Sequence, residues 1–365
     1  MLYNEYNIFK NRGFVIKGVA DLSKLEEQLN EHKRKVDFNT YDITVKELIS
    51  MVTEGLIDIA PEYQRQFRWE DDRQSSLIES IFLGIPVPSV YMATNPDGSW
   101  ELIDGVQRIS TIVHFAGNEQ AIKSIGLDGS LTIKELKKFT ELNGKNFSDL
   151  SRATQLAFTL KPLKVTTLSD KSDVDVRFDL FERLNTGGVV LSPQEIRSCI
   201  FRGRFNDFIK DLAENEDFKS VVRLPESKEN DGTREELVLR FFAYLNNYEK
   251  FEHSVVDFLN GYMKSASKRF EYAENEEVFK KVFYSLNQAL PNGITRGRTT
   301  TPFNLYEAVA VGAALAFKKN GQIVIEGIDT WIISEELKDL TSGATNSRTK
   351  VKQRLEFCKN KFEGM

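Results

Sequence analysis

The sequence predicts an α+β fold: a small mixed sheet with helices up to about residue 190, then an all-helical region running to residue 365. Three observations predict it. Short runs of strand character, Pro86–Ala93, Trp100–Asp104 and Leu160–Leu168, alternate in the first half with segments whose apolar residues fall at helical spacing. From Ser192 onward the spacing is mainly helical. A chain of 365 residues, 41% hydrophobic and 28% charged, also has a globular composition and room for about two domains. The expected divisions are an N-terminal helical extension over 1–40, an α/β domain over 41–190 and a helical domain over 191–365.

Residues 20–35 read as a charged, solvent-facing helix. Val45, Leu48, Ile49 and Val52 form one face of a helix over 44–54. Pro61 and the aromatics Tyr63, Phe67 and Trp69 predict extended chain over 57–69. Leu77, Ile78, Ile81 and Phe82 predict a helix that Gly84 ends. The next two strands flank Asn95-Pro96-Asp97-Gly98 and predict a hairpin or close neighbours. At Asp104-Gly105 strand gives way to helix, because Ile109, Ile112, Val113 and Phe115 share a face. Residues 121–156 are polar and broken by glycine, which predicts short helices or an insertion. The third strand is followed by a helix over 173–185, closed by Thr186-Gly187-Gly188. Ser192 at N-cap, Pro193 at N1 and Glu195 at N3 open the helical region. Its helices are expected over 192–202, 204–214, 233–248, 253–270, 274–290, 303–319, 329–340 and 346–362.

The net charge of −5 excludes a uniformly basic nucleic-acid-binding surface and leaves room for local basic patches. Cys199 and Cys358 cannot supply a four-ligand zinc site, and His32, His114 and His253 are too scattered for a His-rich nuclease motif. Any catalysis must rest on carboxylates, arginines, amides and hydroxyls. No apolar run reaches membrane-spanning length, and the N-terminal residues lack a secretory pattern, so a cytoplasmic protein is expected.

Ile103-Asp104-Gly105-Val106-Gln107-Arg108 carries the most chemistry. A helix start offers free N–H groups and a positive partial charge, and a glycine before it lets a phosphate approach the backbone. Arg108 could clamp that phosphate, and Asp104 could hold a divalent cation or a water. The plainer alternative is that Asp104 caps the helix and Arg108 makes a structural salt bridge. Tyr63-Gln64-Arg65 supplies a second Gln-Arg pair, and the two pairs converging would make a donor-rich anion site. Arg183 and Asn185, before a glycine-rich turn, either close over a ligand or merely end a helix. Arg197, Arg202 and Arg204 form one basic cluster; Arg296 and Arg298, and Arg348, Lys350, Lys352 and Arg354, form further candidate DNA-phosphate contacts or ordinary solvated faces.

Four segments in order, APEYQRQFRW, LIESIFLGIPVPSVYM, WELIDGVQRISTIVHF and LFERLNTGGVVLSPQEIRS, resemble the N-terminal domain of GmrSD-type modification-dependent restriction endonucleases, within the wider ParB/sulfiredoxin-like fold. The resemblance spans about residues 42–205. It implies an Asp-Gly-Gln-Gln-Arg signature tied to nucleotide binding and hydrolysis in DNA restriction and anti-phage defence. Asp104, Gly105, Gln107 and Arg108 match it; Val106 replaces the first glutamine. Sulfinic-acid reduction is excluded, because no cysteine occupies that loop. An HNH-type nuclease after the helical part is not expected, since residues 206–365 hold only His253.

The resemblance thus implies a nucleoside triphosphate with Mg²⁺ at the junction of the two motifs. Asp104, Gln107 and Arg108 would be catalytic, with Asp104 on the metal. Tyr63, Gln64, Arg65, Gly105, Val106, Thr111, Arg183 and Asn185 would contact the nucleotide. Expected partners are modified DNA, a separate nuclease chain or a second copy, and no membrane. Two alternatives stand: a ParB-like metal-dependent nuclease or nickase, and a non-catalytic sensor and docking module.

Overall fold

The computed structural model describes residues 37–59, 69–95, 97–169, 178, 180, 192–297, 299–343 and 346–365. The helix expected over 20–35 lies outside the described residues. So do Tyr63, Gln64, Arg65, Arg183, Asn185 and Arg298.

A five-stranded mixed sheet organises the first half, in the order β1-β5-β3-β4-β2. Strand β1 (Phe38–Thr44) is an edge strand, antiparallel to β5 (Pro162–Leu168), with five of its seven residues exposed. Thr44 then caps helix α1 (Val45–Thr53), accepting the Glu47 N–H on its hydroxyl, and α1 buries Val45, Leu48 and Val52. Strand β2 (Ile57–Asp58) forms the other edge, parallel to β4. Helix α2 (Asp71–Leu83) ends at Gly84, left-handed at φ 69°, which donates back to the last turn. Strands β3 (Val90–Thr94) and β4 (Trp100–Asp104) pair as the expected antiparallel hairpin, although β3 starts later than the sequence suggested. The sheet curls enough for Tyr41 of β1 to stack on Trp100 of β4, centroids 5.6 Å apart. Helix α3 (Val106–Ala116) follows β4 directly, and α4 (Arg152–Thr159) precedes β5. One sheet face and helices α1 to α3 enclose a core that includes Leu48, Ile78, Met92, Leu102, Ile109, Ile112 and Phe158.

From α5 (Pro193–Ile200) onward the described chain is helical. Ser192 and Glu195 exchange both bonds of a capping box, with Pro193 in the first turn, as the sequence implied. Helices α6 (Arg204–Ala213), α7 (Thr233–Asn247), α8 (Val255–Ala266) and α9 (Tyr272–Ala289) follow. Phe218, Phe241, Phe279 and Phe283 pack edge-to-face and tilted at the centre, Phe279 and Phe283 at 4.4 Å. The helix expected over 303–319 is broken by a π turn at Glu307–Val311, and α10 (Gly312–Asn320) resumes after it. A Cβ on Gly312 would lie 2.5 Å from the Cβ of Cys358, so glycine sets how closely α10 crosses α11 (Arg348–Phe362). The segment expected as one helix over 329–340 is two, Ile328–Trp331 and Glu335–Thr341.

The two halves meet through α5. Its Ile196 and Cys199 pack on Ala93 and Ile103, the sheet face opposite the main core. Just beyond it, Arg202 pairs with Asp58 of β2 and donates to Glu101 of β4 at 2.9 Å. Glu101 is 2% exposed, and burial pushes its carboxyl up to about 7 against the pull of Arg202.

Candidate functional site

The Asp104 turn stands where the sequence placed it, between the end of β4 and the start of α3. Two local features shape it. The β3–β4 register slips by one residue between Leu102 and Asp104, so Ile103 is an extra residue on β4. Such a bulge twists the strand and re-aims the side chain after it. Gly105 then takes φ 109°, with the two Cγ atoms of Val90 at 3.1 Å from where a Cβ would sit. Conformation and space both require glycine here. Among the described residues no side chain caps the first turn of α3.

Arg108 is committed within this structure. Its Nη2 pairs with Asp104 Oδ2 at 2.5 Å, and its Nη1 donates to the carbonyls of Pro88 and Ser89 at 2.6 and 3.1 Å. The Asp104 side chain is 36% exposed and the Arg108 side chain 12%, so the carboxylate faces solvent while the guanidinium is mostly covered. The geometry therefore contains the plainer alternative, a structural ion pair, and still presents a carboxylate beside an uncapped helix start.

Gln107 reaches across the site. Its Oε1 accepts the Trp69 N–H at 3.2 Å, and Gln74 Nε2 donates to the Trp69 carbonyl at 2.9 Å. The Gln74 amide oxygen faces His114 Nδ1 at 2.8 Å, and burial lowers the His114 pKa, which favours neutral imidazole. Arg73 lies 4.7 Å over the Trp69 ring. Trp69 is thus held on both sides of its peptide, directly after residues 60–68. On the other flank of those residues, β2 runs parallel to β4, and the buried Ile59 follows it. Both described flanks of the Tyr63-Gln64-Arg65 motif are anchored to the elements that carry Asp104 and Gln107.

Other candidates stand elsewhere. Val106 turns its side chain into apolar clusters on both sides of the sheet, leaving only its backbone for a ligand. Thr111 is fully buried within α3, so its hydroxyl is not presented to a ligand. Arg197, grouped by sequence with surface cations, is 0% exposed; Arg202 is the inter-half ion pair; Arg204 covers the Tyr272 ring at 4.1 Å. Arg197 is thus withdrawn from solvent, whereas Arg202 and Arg204 stay exposed with their guanidinium groups engaged. Arg296 donates to the Ile332 carbonyl at 2.8 Å and is half-buried. Arg348 is exposed and Lys350 half-buried at the start of α11, with no site built around them among the described residues.

The model of the GmrSD restriction endonuclease N-terminal domain matches residues 45–202. The chain carries a GmrSD N-terminal domain. That places its first half in a family of restriction enzymes. No curated protein and no solved structure matches the chain.

The GmrSD domain spans α1 to Arg202, so it includes α5 and the ion pair that seats α5 on the sheet. Gln74, His114 and Trp69 are site-forming residues that reading the sequence missed. One signal was available: Gln74 shares a helix face with Ile78 and Ile81, where a buried amide needs partners. Among the described residues no three His, Cys, Asp or Glu side chains cluster to hold a metal. Asp104 offers a single carboxylate. That suits Mg²⁺, which keeps several waters and takes its remaining oxygens from substrate phosphates. No helix among the described residues is long and apolar enough to cross a membrane.

Proposed function

We propose that the chain binds a nucleoside triphosphate at the Asp104–Arg108 turn and hydrolyses it as part of a restriction or anti-phage system. The supporting observation is the junction itself: an exposed carboxylate, a left-handed glycine and an uncapped helix start, with Trp69 tied to Gln107 beside them. Mg²⁺ held by Asp104 would neutralise phosphate charge. The backbone of α3 would receive phosphate oxygens, since its first turn has no side-chain cap among the described residues. Arg108 would first keep Asp104 in place; when a cation draws on that carboxylate, its guanidinium would turn to phosphate. Gln107 would fix the segment carrying Tyr63, Gln64 and Arg65, which would supply the second set of donors. Arg183 and Asn185 would close the nucleotide side, and Arg348 and Lys350, with Arg296 and Arg298, would meet DNA. A separate nuclease chain would do the cutting, with modified DNA as the signal.

The test is phosphate release across the four common NTPs, with and without Mg²⁺ and modified DNA. Asp104→Ala is expected to lower turnover by about two orders of magnitude or more with an unchanged circular dichroism spectrum. Wild-type turnover in that variant removes Asp104 from the mechanism. The Arg108–Asp104 pair favours a second reading, a sensor that binds nucleotide without turning it over. Tight binding with no phosphate release would establish it.

A further inference from the structure

Helix α5 has a second role on its side away from the sheet. Gln194 and Arg197 line a cavity of about 200 Å³ between α5, α8 and the start of α7. We propose that this cavity binds a small organic oxyanion, a phosphate or carboxylate head group carrying a short apolar tail.

The polar lining divides into satisfied and unsatisfied groups. Arg197 donates to Gln194 Oε1 at 2.9 Å, to Asn260 Oδ1 at 3.2 Å and to Glu236 Oε2 at 2.5 Å. Arg240 takes the other Glu236 oxygen at 2.8 Å and reaches Glu307 at 2.5 Å. Asp231 accepts the Thr233 N–H at 3.0 Å. Both Glu236 oxygens are therefore met by arginines, and Asp231 by a backbone N–H. Two groups are not. Gln194 is 1% exposed, and its Nε2 finds no acceptor. The Lys228 ammonium makes no hydrogen bond or close ion pair among the described residues; its charge acts on Glu236 only through space, and it stands 5.1 Å from the Phe303 ring centroid.

A buried amide donor without an acceptor, beside an uncommitted cation, is complementary to an oxyanion. Val255, Leu259 and Phe303 give the remaining wall an apolar character that suits a short hydrocarbon tail. The site is separate from the Asp104 turn. Yet α5 touches both, because its Ile196 and Cys199 rest on Ile103, the residue before Asp104.

Calorimetric titration of the full chain with butyl phosphate, butyrate, inorganic phosphate and butanol tests the site. Saturable binding is expected for butyl phosphate or butyrate, and the tighter of the two identifies the head group. Inorganic phosphate should bind at least about tenfold more weakly, and butanol not at all. Lys228→Glu, a change at an exposed position, should weaken the organic anion at least about tenfold, and Gln194→Leu should do the same. Asp104→Asn should leave that affinity unchanged, which separates this site from the proposed nucleotide site. Equal affinity in wild type and Lys228→Glu, or no saturable binding of any of the three anions, overturns the proposal.

Discussion

At the scale of single residues, Trp69 joins α2 to α3 beside the Asp104 turn, its backbone N–H donating to the Gln107 side chain and its carbonyl accepting from the Gln74 side chain. If that tie positions nucleotide-binding donors, Gln74→Ala and Gln107→Ala should each weaken nucleotide binding about tenfold while leaving the unfolding midpoint within a few degrees. Unchanged affinity in both variants would leave the tie purely structural. Gly105 makes a different kind of claim. Its φ of 109° and the crowding by Val90 mean that Gly105→Ala should cost about 1 to 3 kcal/mol, read from urea unfolding. A neutral alanine would show that the turn relaxes without strain. These residues differ in how legible they were. Asp104, Gly105 and Gln107 stood out because strand, turn and helix signals converge on them. Thr111 came only with the family resemblance, and the packing shows that it is buried.

At the scale of elements, the order of strands and helices was largely readable from periodicity, and the misses share physical causes. Strand β1 has five exposed residues in succession, so it lacks the alternation of buried and exposed positions that reveals a half-buried strand. The π turn at Glu307–Val311 begins on a buried acid that meets Arg240 and Arg354, partners 67 and 47 residues away in sequence that local periodicity cannot reveal. Arg197 read as part of a surface cluster because one-dimensional spacing cannot show that a carboxylate, Glu236, meets it inside the fold. The Arg202 contact also has its own pH signature. Glu101 has a folded pKa of about 7, above the ordinary carboxyl value, so its contribution to stability is complete below the unfolded pKa and is lost as pH rises through about 7. Relative to Glu101→Gln, the wild type should therefore lose roughly 2 to 3 kcal/mol of unfolding free energy between pH 5 and pH 8.5. A constant difference across that range would mean that Arg202 fully offsets burial.

At the scale of the whole molecule, the question is whether the sheet half and the helical half fold as one unit. The ion pairs give a physical reason to expect that they do. Arg197 on α5 joins Glu236, Glu236 joins Arg240, and Arg240 joins Glu307, which also holds Arg354 of α11. Helix α5 is the first member of that chain and is also the element packed on Ile103 and followed by Arg202. Removing one charge from a buried pair leaves its partners uncompensated, so Glu307→Gln should destabilise by about 3 to 5 kcal/mol. If α5 couples the halves, that loss will not stay in the helical core. Amide hydrogen exchange should show protection falling by the same free energy in β4 as in α7, although β4 lies far along the chain from position 307. Exchange that quickens in α7 and leaves β4 protected would instead make the GmrSD domain an independent folding unit. In that case a ligand bound in the α5 cavity could not bias the Asp104 turn through stability alone, and any communication would have to pass through the local contact between Ile196 and Ile103.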